Sequence, residues 1–130
     1  MPISIVFDHD NRFMQATASG PIDLKEFERY LDEIVVQNAM SYRRLYDCRE
    51  ARYIYNDEEI MQVGARISAY AAFEPRGPVA IVAITDENVA LSRRFLNLGG
   101  ATRPGKLFHT IAAARKWLDL QPLPELPPRK

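Results

Sequence analysis

The segment "PVAIVAI", residues 78–84, decides the fold class of this chain. It is apolar throughout and lacks the alternation of a strand with one face in water, so it predicts a strand buried on both faces. Such strands are typical of parallel sheets, because the helices that connect parallel strands cover both faces. The segment therefore predicts an α/β fold with this strand inside the sheet.

Strand and helix patterns alternate on both sides of this segment. Apolar residues at helical spacing predict helices over 24–38, from Asn56 onward, from Asp86 to about Leu98, and after Thr110. Short β-rich runs predict the other strands: "ISIVF" (3–7), "RFMQATAS" (12–19), "RRLYDC" (43–48) and "KLFH" (106–109). Gly20-Pro21 is predicted to end the strand that begins at residue 12. The order β-β-α-β-α-β-α-β-α predicts a mixed, mostly parallel sheet with helices packed on it.

Two helix starts carry capping signals. Asp23 is followed three residues later by Glu26, and Asn56 is followed by Glu59 at the same spacing. A side chain that accepts from a free helix amide, with an acidic residue three positions on, predicts a capping box.

Length and composition predict one domain over residues 1–120 and a proline-rich flexible tail over 121–130. Seventeen basic and seventeen acidic residues cancel, which argues against a general affinity for nucleic acid or acidic membranes. The N-terminus lacks a basic segment before its apolar run, and no apolar run is long enough to span a membrane. We therefore expect a cytoplasmic location and no membrane insertion.

Three segments of the chain carry a family resemblance: "ASGPIDLKEFERYLDEI" (18–34), "RRLYDCREA" (43–51) and "LFHTIAAARKWL" (107–118). Their order and spacing resemble the STAS domains, the fold of anti-sigma-factor antagonists, and especially the SpoIIAA-like branch of small stand-alone bacterial proteins. The resemblance implies a sheet layered with helices. It also implies protein–protein regulation in signalling, or binding of an unknown ligand, rather than catalysis.

The resemblance also implies a position for a switch. The antagonists of this family carry a phosphorylatable serine at the start of the second helix, which matches Asn56 or Asp57 here. No serine or threonine occurs between Ser41 and Ser68. We therefore expect that the usual phosphorylation switch is absent from this position.

The segment from residue 47 to 58 is the predicted binding site for a ligand or partner. It follows a predicted parallel strand, where open α/β sheets place their ligand crevices, and it mixes arginine with tyrosine, which are enriched at interaction hot spots. Several of these side chains also have structural interpretations, since Asp47 can accept from loop amides and Asn56 can cap a helix. The candidate residues are Asp47, Arg49, Arg52, Tyr53, Tyr55, Asn56, Asp57 and Glu58.

Other polar residues receive structural interpretations. Cys48 is the only cysteine and is expected to be a small buried side chain, and His9 and His109 imply no metal site. "GGATRPGK" (99–106) resembles a glycine loop that cradles phosphate, but it lacks a Walker or dinucleotide fingerprint, so a helix end and a turn are preferred. We expect no cofactor and no metal.

The sequence leaves two functions open. The first is a non-enzymatic interaction module whose partner, an unknown protein or a second copy of the chain, contacts residues 49–58 and the exposed side of the second helix. The alternative is a carrier of a small apolar or anionic ligand or a lipid. It requires an apolar pocket between the sheet and the second and third helices, with an arginine at its mouth. A cavity lined by Ile, Leu and Phe would favour the carrier, and a fully packed interior the module.

Overall fold

A computed structural model describes residues 2–71, 75–97 and 103–124. Within these ranges the chain forms five strands and four helices. In chain order they are β1 (Ile3–Asp8), β2 (Phe13–Ile22), α1 (Leu24–Val36), β3 (Arg43–Tyr53), α2 (Asp57–Ala71), β4 (Val79–Val82), α3 (Asp86–Asn97), β5 (Gly105–Phe108) and α4 (Ile111–Asp119).

The strands form one sheet in the order β1-β2-β3-β4-β5. The first pair is antiparallel, and the three remaining pairs are parallel. The predicted element order and the mixed, mostly parallel sheet are therefore confirmed.

The two faces of the sheet are covered by different helices. Val79 and Ile81 of β4 belong to the larger cluster with residues of α1, α2 and α3, whereas Ala80 and Val82 pack with Leu118 of α4. All four residues of β4 are buried, as the segment 78–84 predicted. The strand is shorter than predicted, since it ends at Val82.

Two strands are longer than their sequence patterns indicated. The prediction that Gly20-Pro21 ends β2 is wrong, because β2 continues to Ile22 and pairs there with β3 up to Tyr53. The register shifts between Thr17 and Ser19, and Gly20 has a φ of +73°, which glycine adopts without strain. Pro21 lies beyond the part of β2 that pairs with β1, so its missing amide removes no bond to β1.

The prediction that β3 ends at Cys48 is also wrong, because β3 continues to Tyr53. After the register shift, Glu50 to Tyr53 pair with the extended end of β2. Asp47 therefore lies inside β3, and the first half of the segment 47–58 is strand rather than loop.

The helix starts follow the capping predictions, with one exception. Asn56 Oδ1 accepts from the Glu59 amide at 2.8 Å, and Glu59 Oε1 accepts from the Asn56 amide at 3.2 Å, which completes the box at α2. Asp23 Oδ1 accepts from the Glu26 amide at 2.9 Å. The reciprocal bond at α1 is not made, because Glu26 pairs with Arg29 and accepts from the amide of Ile3.

We expect Asn56→Ala and Asp23→Ala each to lower the free energy of unfolding by about 1 kcal/mol, since each removes the acceptor of an otherwise unpaired helix amide. Chemical denaturation measures the effect. Asp10→Ala is the control, because Asp10 is exposed in the turn between β1 and β2. Losses no larger than that of the control would show that these caps do not stabilise the helices.

Some predictions fall outside the described ranges. Leu98, Gly99-Gly100 and most of the proline-rich tail, 125–130, lie there. Within the described ranges, no helix combines the length and apolar character that a membrane span requires.

Candidate functional site

The predicted site residues are divided between the two faces of the sheet. Asp47 lies two positions after Leu45, and alternation along the strand directs both toward the α4 face. Arg49 donates from Nε to Asp47 Oδ1 and from Nη2 to Asp47 Oδ2, both at 2.9 Å. The Arg49 amide also donates to Asp47 Oδ1 at 3.1 Å. This carboxylate therefore has the local role that its structural interpretation predicts, and it holds Arg49.

Tyr53 and Tyr55 lie on the other face. The Tyr53 and Tyr46 hydroxyl oxygens are 2.7 Å apart, and the Tyr55 ring packs edge-on against Phe27 and Phe95. Burial raises the pKa of each of these three tyrosines, so their hydroxyls stay protonated at neutral pH.

The remaining predicted residues are near the surface. Arg52, Asp57 and Glu58 are exposed, and Asn56 serves as the cap of α2. Asp57 Oδ1 forms an ion pair with Arg94 Nη1 at 3.2 Å. The eight predicted residues therefore do not lie together, and only Tyr53 among them lines the pocket between the sheet and helices α1 and α3.

A pocket of about 90 Å³ lies on the face that α1 and α3 cover. This volume admits several waters or a small organic group. The predicted location between the second and third helices is wrong in part, since α1 and α3 supply most of the helical lining and α2 contributes Ile67. Its apolar walls include Phe27, Leu31, Ile34, Ile67, Ile81 and Phe95.

Three arginines line this pocket from three separate segments. Arg44 belongs to the start of β3, Arg76 precedes β4, and Arg103 precedes β5. Arg44 pairs in register with Val79, and Val79 with Gly105, so all three arginines lie at the amino-terminal edge of the parallel strands. Arg44 is only 6% exposed and Arg76 only 9%. The sheet therefore brings together cations that are distant in sequence.

The three cations are close enough to influence each other. Burial lowers the pKa of Arg103 well below its usual range, and the charges of Arg44 and Arg76 lower it further. Burial also lowers the pKa of Arg76, with a second contribution from Arg44. Each shift means that the surroundings disfavour an additional positive charge.

Counter-charges are absent from the described part of this pocket. None of the described residues that line it carries a carboxylate. The buried Nε of Arg44 has no hydrogen-bond partner among the described residues, and Arg103 Nη1 makes a long bond of 3.4 Å to the Gly77 carbonyl. The Arg44 side chain also hydrogen-bonds Tyr30, so its unpaired donor atom is Nε. Burying a charged donor atom without a partner costs free energy.

Cys48 and the histidines have structural partners. Cys48 is buried, burial raises the pKa of its thiol, and its Sγ donates to the Val82 carbonyl at 3.4 Å. His9 Nδ1 lies 2.6 Å from the Tyr42 hydroxyl, and His109 Nδ1 lies 3.0 Å from the Ala83 carbonyl oxygen. Among the residues with described positions, no group of three His, Cys, Asp or Glu side chains is placed to hold a metal.

Sequence reasoning missed Arg44 and Arg76 as site residues. Arg103 lies in the glycine-containing segment 99–106 that was considered for phosphate binding, although residues 99–102 lie outside the described ranges. Alternation offered a signal for Arg44, since it lies two residues before Tyr46 on a predicted strand. Arg76 carries no comparable signal, because its role depends on the packing of a connection.

No protein-family model and no curated protein matches the sequence. Among solved structures, the chain is similar to the crystal structure of an uncharacterized protein of the DUF3478 family with a SpoIIAA-like fold from Shewanella loihica PV-4. The sequences are 17% identical, the match covers 89% of this chain and 91% of that chain, and the TM-score is 0.58. At this identity the similarity shows the fold alone. The chain has a SpoIIAA-like fold, as the sequence resemblance implied.

Proposed function

We propose that this protein binds a small anionic ligand with an apolar body, without catalysing a reaction on it. The observation that carries the proposal is the convergence of Arg44, Arg76 and Arg103 on an apolar pocket. An anion in this position would offset the cost of holding guanidinium groups away from water.

The lining suits such a ligand in both of its parts. A guanidinium group donates parallel hydrogen bonds to an oxyanion, and it does so more strongly where water is excluded. The apolar body would rest against Phe27 and Phe95, whose rings stack with a centroid separation of 5.3 Å. A few polar groups that fix orientation within apolar walls are typical of small-molecule sites.

This proposal corresponds to the second of the two functions that the sequence left open. The pocket lined by Ile, Leu and Phe is the feature that was expected to favour a carrier. A lipid with two long chains fits a volume of about 90 Å³ less well than a small ligand does.

An interaction module remains a second proposal. It is supported by the exposed surface where β3 ends and α2 begins, since Ile54 is 52% exposed beside the exposed side chain of Arg52. An exposed apolar residue beside an arginine is a combination found at interaction surfaces. The partner would be a protein or a second copy of the chain.

Titration with benzoate, hexanoate and benzyl alcohol, followed by calorimetry and amide chemical shifts, tests the ligand-binding proposal. We expect both carboxylates to bind saturably and to shift amides around the pocket, and the neutral alcohol to bind far more weakly. Arg44→Gln should weaken carboxylate binding at least about tenfold, because a hydrogen bond to a charged group contributes about 1.5–3 kcal/mol.

Arg52→Gln is the matched control, since Arg52 lies on the same strand but is exposed. It should leave the affinity unchanged. The proposal fails if no anion, phenyl phosphate included, binds saturably, or if Arg44→Gln binds as tightly as the control variant.

A further inference from the structure

We infer that the anionic group of the ligand is a phosphate monoester, held as a dianion at the edge of the pocket where Arg44, Arg76 and Arg103 meet. The inference rests on the proposed function and specifies its ligand class. It assigns the arginines to the phosphate and the apolar walls to the organic group that the phosphate carries.

Charge is the first reason. Arg44 and Arg103 already supply two positive charges, and none of the described lining residues supplies a negative one. The charge of Arg76 also acts on Arg103, although the charge balance needs only Arg44 and Arg103. A monocarboxylate would neutralise one charge, whereas a phosphate monoester carries about −1.5 to −2 near neutral pH. The dianion therefore matches the cluster more closely.

The arrangement of the arginines is the second reason. They come from β3, from the connection that precedes β4 and from the connection that precedes β5, so they reach the same pocket from three separate segments. A phosphate monoester offers three strong acceptor oxygens arranged in three dimensions, whereas a carboxylate accepts near a single plane. Convergent guanidinium groups thus have more acceptors to reach on a phosphate.

The walls and the volume limit the organic group. About 90 Å³ leaves room for one ring or a short chain beyond the arginines. Phe27 and Phe95 lie on the helical side, and Ile81 lies on the sheet side. A small phosphate monoester with an apolar group therefore fits better than a phospholipid with two acyl chains.

Comparison of phenyl phosphate with benzoate at pH 5.0, 6.0 and 7.5 tests the inference. At pH 7.5 we expect phenyl phosphate to bind at least about tenfold more tightly than benzoate. Its affinity should rise with pH through about 6, where a phosphate monoester loses its second proton. The affinity of benzoate should change little, because a carboxyl group is ionised throughout this range.

The groups around the pocket make this pH series interpretable. No histidine or carboxylate occurs among the described residues that line it. Tyr30, Tyr46 and Tyr53 have raised pKa values and remain neutral. Arginine side chains in proteins are not deprotonated in this range, even where burial lowers the pKa as it does for Arg103. A change in affinity between pH 5.0 and 7.5 therefore reports the ionisation of the ligand.

Two variants and two further ligands test the inference in additional ways. Arg103→Gln should weaken phenyl phosphate more than benzoate, and Arg52→Gln should weaken neither. Inorganic phosphate should bind more weakly than phenyl phosphate, because it lacks the apolar group, and dihexanoyl phosphatidate should also bind more weakly, because its two chains exceed the pocket.

The possible results separate the two proposals. If benzoate binds as tightly as phenyl phosphate at pH 7.5, the inference that the ligand is a dianion is wrong, while the proposed function stands. Phosphate or phosphatidate that binds as tightly as phenyl phosphate overturns the small monoester. An absence of saturable binding by every anion overturns the proposed function itself.

Discussion

Replacing Arg44 by methionine will stabilise the protein without ligand and sharply reduce its affinity for anions. Arg44 is buried, its Nε has no hydrogen-bond partner among the described residues, and its charge faces those of Arg76 and Arg103. Methionine has a similar length and adapts to irregular apolar surroundings. Replacement of buried ionic groups by apolar side chains of similar volume is neutral or stabilises a protein by about 1–4 kcal/mol in many cases. Because Arg44 lies near two other cations, we expect a gain in that range.

The measurement is the free energy of unfolding from chemical denaturation, with the denaturant dependence compared between variants. Arg52→Met is the control, and it should change stability by less than about 0.5 kcal/mol because its side chain is exposed. Destabilisation by Arg44→Met would mean that Arg44 supports the fold, and it would remove the reason to regard the cluster as a binding site. A stabilised variant that no longer binds benzoate would show that the free protein sacrifices stability for its ligand.

The parts of the molecule that the sequence predicted well are those stabilised by interactions between residues close together in the chain. The start of α2 was predicted because its capping box involves residues only three positions apart, Asn56 and Glu59. The burial of β4 was predicted because four consecutive apolar residues need no distant partner to be recognised. Local sequence patterns predict local structure, since the residues whose interactions stabilise it are close together in the chain.

The ends of β2 and β3 depend on each other and were missed for that reason. Gly20 and Pro21 are common at strand ends, and nothing nearby indicates that Arg52 and Tyr53 will pair with Pro21 and Ile22. Only the register of a parallel pair extends both strands. For the same reason, residues 47–53 were interpreted as part of a loop although they belong to β3.

The pocket shows the same limit more strongly. Its arginines come from three segments, and they meet because β3, β4 and β5 are aligned at Arg44, Val79 and Gly105. The sequence suggested an arginine at the mouth of a pocket, but it did not indicate which arginine. The three arginines that line the pocket lie at the amino-terminal edge of the parallel strands. A cluster that forms through the packing of connections is not visible in the spacing of its residues.

Gly77→Ala will reduce the free energy of unfolding by more than about 3 kcal/mol, beyond the usual cost of about 1–3 kcal/mol for an overpacked side chain. The Gly77 amide donates to the Met40 carbonyl at 2.8 Å. A Cβ at this position would overlap the backbone carbonyl groups of Ser41 and Tyr42. Relief therefore requires movement of backbone rather than rotation of a flexible side chain.

The close approach of Gly77 to residues 40–42 also fixes the position of the neighbouring Arg76, so this variant tests the pocket as well. Arg76 directly precedes Gly77, and the Arg44 amide donates to the Pro78 carbonyl at 2.9 Å. Any backbone shift that accommodates the alanine moves Arg76 relative to Arg44. We therefore expect that Gly77→Ala, where it remains folded, binds phenyl phosphate at least about tenfold more weakly, the loss expected when one charge-assisted hydrogen bond is removed.

Gly20→Ala is the matched control, since it replaces a glycine whose φ is +73° but whose added Cβ meets no atom within 4 Å. It should cost about 1–2 kcal/mol, the strain of a left-handed alanine, and leave phenyl phosphate affinity unchanged. Denaturation of the two variants together with the native chain distinguishes backbone overlap from backbone strain. If Gly77→Ala lowers the free energy of unfolding no more than Gly20→Ala does, the backbone of residues 40–42 moves at little cost to accommodate the segment that carries Arg76. The cations would then lack the rigid support that a preorganised anion site requires.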